Sequence, residues 1–395
     1  MDDLKMAADL SKNISEVQTT RLLRDIVRCN TTNPPGNERE CCDILHEYFR
    51  DAGVNSEILE YAPGRANVVA KVKGSGGGRS VMLNGHLDVV APGTGWTKDP
   101  FGGTIEGGRM YGRGTSDMKS GVVAAAVALR AIVDSGMALG GDIMFTGVAD
   151  EESSGPAGTK YLLSKGITSD MAIVTEPTDL QIETAQRGIL WMEVKTFGRA
   201  AHGGRPWLGN NAIMQMNEFL NRLKGLQSHL SSRKHHLLSS PSLNVGTITG
   251  GTRINVVAAE CTVTIDRRTI PTESADQALS EITSIIQELE AADKDFHATL
   301  RELGRSTAFE TAGDHPLVRN LRSSFTTVTG REPIIAGKDA SSDASLLTDA
   351  GIPTVLFGPG QHRVSHTADE YVDLEKVVQA AKILTLTVVR STAGA

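Results

Sequence analysis

Seven acidic and histidine residues of this 395-residue chain stand just after apolar segments or just before helical ones. Five of them follow segments that are typical of short strands, and the other two precede helical stretches. The carboxyl ends of strands are where α/β sheets place their ligands. We therefore predict that the seven side chains meet at one edge of a sheet; they are His86, Asp88, Asp117, Glu151, Glu152, Glu176 and His366.

Each of these residues also has an ordinary explanation when it is taken alone. A single loop histidine is more often a surface or core residue than a ligand. The Glu151-Glu152 pair is also typical of a solvated turn, and Asp117 is a possible helix N-cap. Their occurrence together favours a functional site over these ordinary explanations, because clustered carboxylates repel one another strongly unless cations neutralise them. The pattern therefore predicts a metal site.

The types of the predicted ligands indicate which ions would bind. Two histidines with three or four carboxylates and no cysteine suit Zn²⁺, Co²⁺ or Mn²⁺, and their number fits two adjacent ions. One remaining carboxylate could act as a base toward a water whose pKa the ions lower from ~16 to near ~7. The adjacent Glu151 and Glu152 fit the two roles of base and ligand.

The elements that would carry these residues follow from apolar periodicity. A helix is predicted over 38–52, with Asn37 as its N-cap and Gly53 as its end. Strand-like and helical segments then alternate, with strands at 67–72, 80–90, 142–149 and 171–175 and helices at 120–134 and 157–165. This alternation predicts an α/β domain with a mixed, partly parallel sheet flanked by helices. The Gly-rich segment 73–79 is interpreted as a flexible hairpin loop.

The pattern changes at about residue 186. The segments now follow in the order β-α-β-β-α-β, at 188–198, 210–226, 242–249, 254–269, 273–292 and 295–303. This is the order of a ferredoxin-like unit. After residue 304 the α/β pattern returns, with a strand over 351–359 and a closing helix over 372–388. We therefore predict a catalytic domain formed by 1–185 plus 305–395, and an inserted domain formed by 186–304.

Composition excludes several classes of partner and of site. Forty basic and 47 acidic residues give a net charge of −7, which argues against binding to nucleic acid or to anionic membranes. The longest apolar run, 122–129, is too short to span a bilayer, and the chain start lacks the apolar core of a signal peptide, so we expect a cytoplasmic protein. The four cysteines have no CxxC spacing, which predicts buried free thiols.

Several motifs together resemble the family of di-zinc deacylases and exopeptidases that includes acetylornithine deacetylase, succinyl-diaminopimelate desuccinylase, aminoacylase and glutamate carboxypeptidase. The resemblance covers nearly the whole chain in order, and it implies a homodimer formed through the inserted lid domain. The motifs are HLDVV (86–90), GRGTSDMKSG (112–121), the pair at 151–152, TEP (175–177), RAAHGGRPWLGNNAI (199–213), GIPTVLFGPG (351–360) and SHTADEYV (365–372).

The resemblance also implies a role for each residue of the predicted metal site. It makes His86 and Glu176 ligands of one zinc, Glu152 and His366 ligands of the other, and Asp117 the bridge between them. Glu151 becomes the general acid and base. Asp88 becomes the partner that orients the imidazole of His86, a role that is physically sensible for a carboxylate next to a ligand.

Three residues of the inserted domain are matched as well. The resemblance implies that His202 reaches the active site of the partner subunit and stabilises the oxyanion, and that Asn255 and Arg268 hold a carboxylate of the substrate. Arg268 lies two residues from Asp266 on a predicted strand, so the two could simply pair. The sequence departs from the family at Ser345, where many relatives have an arginine near the substrate.

These observations lead to one principal hypothesis. The chain is expected to be a homodimeric metallohydrolase that cleaves the amide bond of an N-acyl amino acid or a similar small amide with a carboxylate. Glu at position 176 leans toward the deacylase branch by resemblance. A dipeptidase or carboxypeptidase on the same site is the first alternative, and a catalytically silent metal-binding protein is the second. An intact Glu151 argues against the silent protein, because a non-catalytic site needs no carboxylate beyond its ligands.

Overall fold

The computed structural model describes residues 9–393, and this part of the chain forms two compact units. The larger unit contains the chain up to Thr184 together with Thr311–Ala336 and the segment that begins at Ser342. The smaller unit contains Ala185–Glu310 and Gly337–Ser341. The smaller unit is thus an insertion in the sequence of the larger one.

The larger unit alternates helices and strands. Its helices are α1 (Glu16–Arg28), α2 (Arg39–Asp51), α3 (Ser120–Asp134), α4 (Thr159–Ser164), α7 (Pro316–Thr329), α8 (Ala344–Asp349) and α9 (Leu374–Thr392). Its strands are β1 (Asn55–Ala62), β2 (Arg65–Val72), β3 (Val81–His86), β4 (Thr104–Glu106), β5 (Arg109–Tyr111), β6 (Ile143–Val148), β7 (Met171–Val174), β15 (Thr354–Leu356) and β16 (Tyr371–Asp373). Strands β8 (Ile182–Gln186) and β14 (Ile335–Lys338) each begin in this unit and end in the smaller one.

The main sheet of the larger unit has the order β1-β2-β6-β3-β7-β15-β8. Strand β3 is parallel to both β6 and β7, and β15 is parallel to β7, whereas β1, β2 and β8 join their neighbours antiparallel. The prediction of a mixed, partly parallel sheet is confirmed. The interpretation of 73–79 as a hairpin loop is wrong, because β6 lies between β2 and β3 in the sheet.

Helix α3 packs against β3 and β6 and is buried along almost its whole length, which explains its run of Val and Ala residues. Helix α2 packs on β1 and β2, and α9 packs on α3. Helix α1 was not predicted from the sequence; it begins after an N-cap at Ser15 and buries an apolar stripe. The N-cap of α2 is Glu38, not Asn37, which is exposed.

The smaller unit has the predicted β-α-β-β-α-β order. Its elements are β9 (Gly188–Phe197), α5 (Ala212–Leu230), β10 (Ser242–Gly250), β11 (Glu260–Thr269), α6 (Ala275–Ala292) and β12 (His297–Ser306), followed by β13 (Phe309–Glu310). They form an antiparallel sheet with the order β10-β11-β9-β12, which is ferredoxin-like. The predicted strand over 254–269 is wrong in its first part, because residues 254–259 form a turn followed by irregular backbone and β11 begins at Glu260.

The core of the smaller unit lies between one face of this sheet and its two helices. Alternate residues of β9, including Leu190, Met192 and Val194, are buried there against Phe219 of α5 and Ile282 of α6. This period of two is the pattern of a sheet with one covered face. All four cysteines of the chain are buried free thiols, as expected. Among residues 9–393, no helix is both long and apolar enough to cross a membrane.

Candidate metal centre and active site

Three parallel strands bring most of the predicted site residues to one edge of the main sheet. His86 is the last residue of β3, Glu151 and Glu152 lie three and four residues after β6, and Glu176 lies two residues after β7. Because these strands are neighbours and parallel, their carboxyl ends are adjacent. The fold therefore places these side chains together for the reason that the sequence suggested.

The carboxylate of Asp117 lies between two histidines. Its Oδ1 is 3.3 Å from Nε2 of His86, and its Oδ2 is 3.4 Å from Nε2 of His366. Nε2 of His366 is also 3.2 Å from Oε1 of Glu152. One donor atom from each of His86, Asp117 and Glu152 lies within 4.8 Å of the other two. Each oxygen of Asp117 thus faces a different histidine, which is the arrangement that a carboxylate shared by two ions requires.

Asp117 is fixed by a buried ion pair that the sequence analysis did not identify. Glu370 accepts hydrogen bonds from the backbone N–H groups of Ser116 and Asp117 at 2.8 and 3.0 Å, and its other oxygen pairs with Arg113. Both partners are buried, and burial raises the pKa of Glu370 to about 6. Glu370 lies in the segment SHTADEYV, but only the folded chain brings it to the turn that carries Asp117.

Asp88 holds the turn that carries the acidic pair. Its two carboxylate oxygens accept hydrogen bonds from the backbone N–H groups of Glu151 and Glu152, at 3.2 and 3.1 Å. The Nδ1 atom of His86 lies 2.9 Å from the backbone carbonyl oxygen of Asp88 and 3.6 Å from its carboxylate. The contact that orients this imidazole is therefore made by the backbone of Asp88, while its carboxylate orients the acidic pair.

Several carboxylates concentrate negative charge at this edge of the sheet. Burial raises the pKa of Glu151 well above its usual range, and the negative charges of Glu176, Asp343 and Glu152 add to this effect. Burial also raises the pKa of Asp343, to about 6. Asp343 was not among the predicted site residues; it is buried and accepts a hydrogen bond from the hydroxyl of Thr159 at 2.6 Å.

The pKa values of the two histidines are raised as well, because the neighbouring carboxylates favour the protonated rings. Hydrogen bonds that His366 donates to the carboxylates of Asp117 and Glu152 raise its pKa to about 10. For His86 burial is the largest effect and lowers the pKa, but Asp117, Glu151 and Asp88 together outweigh it and raise the pKa well above its usual value. The carboxylates thus stabilise positive charge in their midst. A set of mixed nitrogen and oxygen donors fits divalent cations such as zinc.

The three predicted site residues of the smaller unit make hydrogen bonds or ion pairs with neighbours in the same unit. His202 is exposed, and its Nδ1 accepts a hydrogen bond from the N–H of Gly204 at 3.0 Å, so the proton of a neutral ring lies on Nε2. Asn255 is exposed, and its backbone carbonyl oxygen accepts a hydrogen bond from the backbone N–H of Gly203. Arg268 forms a bidentate ion pair with Asp266, at 2.9 and 3.0 Å. This is the pairing that their positions two residues apart on one strand allowed.

Comparison with known proteins extends these observations. The model of peptidase family M20/M25/M40 matches residues 82–390. The N-formyl-4-amino-5-aminomethyl-2-methylpyrimidine deformylase of Bacillus subtilis (strain 168) is 30% identical over 411 residues, covering 95% of each chain. A probable succinyl-diaminopimelate desuccinylase of Staphylococcus aureus (strain N315) is 30% identical over 392 residues, covering 91% of this chain and 94% of the relative.

The fold has close counterparts among solved structures. The crystal structure of a Bacillus subtilis protein described as a dinuclear metal-binding peptidase of the M20 family superposes with a TM-score of 0.75 at 15% identity, covering 96% of this chain and 99% of that one. The predictions of family and of hydrolase class are confirmed by these matches. This chain therefore belongs to peptidase family M20/M25/M40.

Proposed function

We propose that this protein is a deacylase that uses two divalent metal ions to hydrolyse the amide bond of an N-acyl amino acid or a similar small amide with a carboxylate. The observation that carries the proposal is the position of Asp117, each of whose oxygens faces a different histidine. A carboxylate in this position would be shared by two ions. Glu151 lies near one of the same histidines, with its Oε2 3.9 Å from Nε2 of His86.

The ligands divide into two sets around the shared carboxylate. His86 and Glu176 would hold one ion, Glu152 and His366 would hold the other, and Asp117 would bind both. When bound, the ions would polarise the carbonyl group of the substrate and make a water molecule more acidic. Zinc is the proposed ion, and cobalt or manganese would suit the same donors.

Glu151 would carry the proton during the reaction. Burial and neighbouring carboxylates raise its pKa, which brings a carboxylate closer to the range in which a general base works at neutral pH. Glu151 would take a proton from the attacking water and deliver it to the nitrogen that leaves. Asp88, which binds the N–H group of Glu151, would keep this carboxylate in place.

Two relatives support a deacylase. The names of the deformylase and the desuccinylase both describe removal of an acyl group, and each of these proteins is 30% identical to the chain over more than nine-tenths of its length. Ser345, where the resemblance implies an arginine near the substrate, is buried. The substrate panel below therefore compares several acyl groups.

The smaller unit would complete the site from a neighbouring subunit. We propose that Nε2 of His202 donates to the oxyanion, and that Asn255 and Arg268 hold the substrate carboxylate after Arg268 leaves Asp266. A homodimer is supported by apolar side chains that this unit exposes, with Trp207 74% exposed and Ile254 fully exposed. A cytoplasmic location remains the expectation from composition.

A substrate panel tests the proposal. The protein would be freed of metal, reloaded with Zn²⁺, Co²⁺ or Mn²⁺, and assayed on N-formyl, N-acetyl and N-succinyl amino acids and on dipeptides. We expect hydrolysis of at least one N-acyl amino acid, with loss of activity after chelation and in the Glu151→Gln variant. Cleavage of dipeptides alone would favour a peptidase, and no cleavage by a fully metal-loaded protein would favour a silent metal-binding protein.

A further inference from the structure

A buried polar network lies behind the turn that carries the acidic pair, and Asn33 is at its centre. The Nδ2 atom of Asn33 donates to Oδ2 of Asp88 at 2.8 Å and to Oδ1 of Asp150 at 3.1 Å, and it lies 3.2 Å from Oγ of Ser153. Only 7% of Asn33 is exposed. This amide therefore joins two buried carboxylates that would otherwise repel each other.

Asp150 needs this support because its backbone is in the left-handed region, with φ at 68°. A residue with a side chain adopts this conformation only when its surroundings hold it there. The carboxylate of Asp150 accepts from Asn33, from the hydroxyl of Ser153 at 2.6 Å and from the backbone N–H of Ala157 at 3.2 Å. The conformation of Asp150 sets the direction in which the next two residues, Glu151 and Glu152, leave the sheet.

Arg65 fixes the other side of the amide. Its guanidinium contacts Oδ1 of Asp150 at 2.9 Å, Oε2 of Glu38 at 3.0 Å and Oδ1 of Asn33 at 3.4 Å. The amide oxygen therefore faces a cation and the amide nitrogen faces two carboxylates. Among side chains of this size, only asparagine offers an acceptor and a pair of donors in that arrangement.

We infer that Asn33 is a positioning residue that aligns Glu151 and Glu152 by holding the carboxylates of Asp88 and Asp150 on either side of their turn. The inference rests on the proposed function, because it assigns Glu151 to proton transfer and Glu152 to a metal ion. Asn33 itself contacts neither the ions nor the substrate in this scheme. It acts through Asp88, which binds the N–H groups of both glutamates, and through Asp150, which precedes them.

The variant Asn33→Asp tests this role, because it keeps the shape and places a third carboxylate among the first two. We expect kcat to fall about 10–100-fold, with KM nearly unchanged, and affinity for Zn²⁺ to fall by a similar factor. Zinc affinity would be measured by competition with a chromophoric chelator, which does not depend on turnover. Asn33→Leu removes the donor without adding charge. If Asn33→Asp does not fold, the same two measurements on Asn33→Leu test the role of Asn33, and the same losses are expected.

The matched control is Asn37→Asp, which adds the same charge to an exposed residue of the same loop and should leave kcat and zinc affinity at the parental values. Folded Asn33 variants with parental kcat and parental zinc affinity would overturn the inference, as would variants that only melt at a lower temperature. If the parent hydrolyses nothing in the substrate panel, the proposed function fails. The zinc competition still decides whether Asn33 positions the acidic pair.

Discussion

The substitution Glu151→Gln separates the base of the proposed site from its ligands. The side chain of Glu151 is 16% exposed, and its Oε2 lies 3.9 Å from Nε2 of His86. Glutamine has the same shape and keeps an oxygen for contacts, but it cannot take up a proton. The substitution should therefore leave the ligands in place and remove only the proton transfer.

The expected loss follows from the size of general acid–base catalysis. A positioned base typically contributes about 10²–10⁴-fold to turnover, which corresponds to about 3–5 kcal/mol in the activation free energy. The loss here should lie in the upper part of that range, because one residue would serve both the attacking water and the leaving nitrogen. KM should change little, since Glu151 is not assigned to substrate binding.

Two measurements on the same preparation test this prediction. Turnover would be determined on the best N-acyl substrate of the panel, and metal content would be determined by elemental analysis. Glu151→Gln should keep two ions per chain and lose at least about a hundredfold in kcat. Glu152→Gln is the control and should also lose metal, because Glu152 lies against His366 at 3.2 Å. A Glu151→Gln enzyme with more than about a tenth of the parental kcat would refute the assignment of the base.

Three further predictions concern the bridge, the oxyanion and a buried acid. Asp117→Ala should lose both ions and His366→Ala chiefly one, and two ions per chain in Asp117→Ala would exclude the bridge. His202→Ala should lower kcat about 10²–10³-fold with metal retained, and verified heterodimers with Glu151→Gln chains should regain up to half the parental activity; inactive heterodimers would exclude action across the dimer. Burial, together with the charge of Asp88, raises the pKa of Glu38 from 4.5 to about 7 despite its pair with Arg65. The folded state therefore binds the extra proton between these values, and the free energy of unfolding should fall by at most about 3 kcal/mol as pH rises from 4.5 to 7. Urea unfolding at several pH values should show a flatter dependence for Glu38→Gln, and an equal slope would contradict this interpretation.

Much of the larger unit could be predicted from sequence because its candidate site residues lie at the ends of strands or just after them. His86 and Glu176 come within two residues of strands that are buried on both faces, and such strands are continuous apolar segments. The smaller unit was predictable for a different reason, since the alternation along β9 and the stripe on α6 each report one covered face. The error at 254–259 arose because this irregular segment contains Ile254, Val256 and Val257, which are residue types typical of a strand.

The residues that the sequence analysis missed share a physical feature: their partners are distant in the chain. Asn33 contacts Asp88 and Asp150 across 55 and 117 positions, and Glu370 binds the N–H group of Asp117 across 253. No periodicity or spacing records such pairs, since each forms only when the sheet and its loops are assembled. Hydrogen bonds at the carboxyl ends of β3 and β6 thus determine where the acidic pair points, and strand patterns determine only that the pair is there. For this reason the roles of Glu151 and Glu152 should be more sensitive to changes at Asn33 than to changes at residues nearer to them in sequence but outside this network.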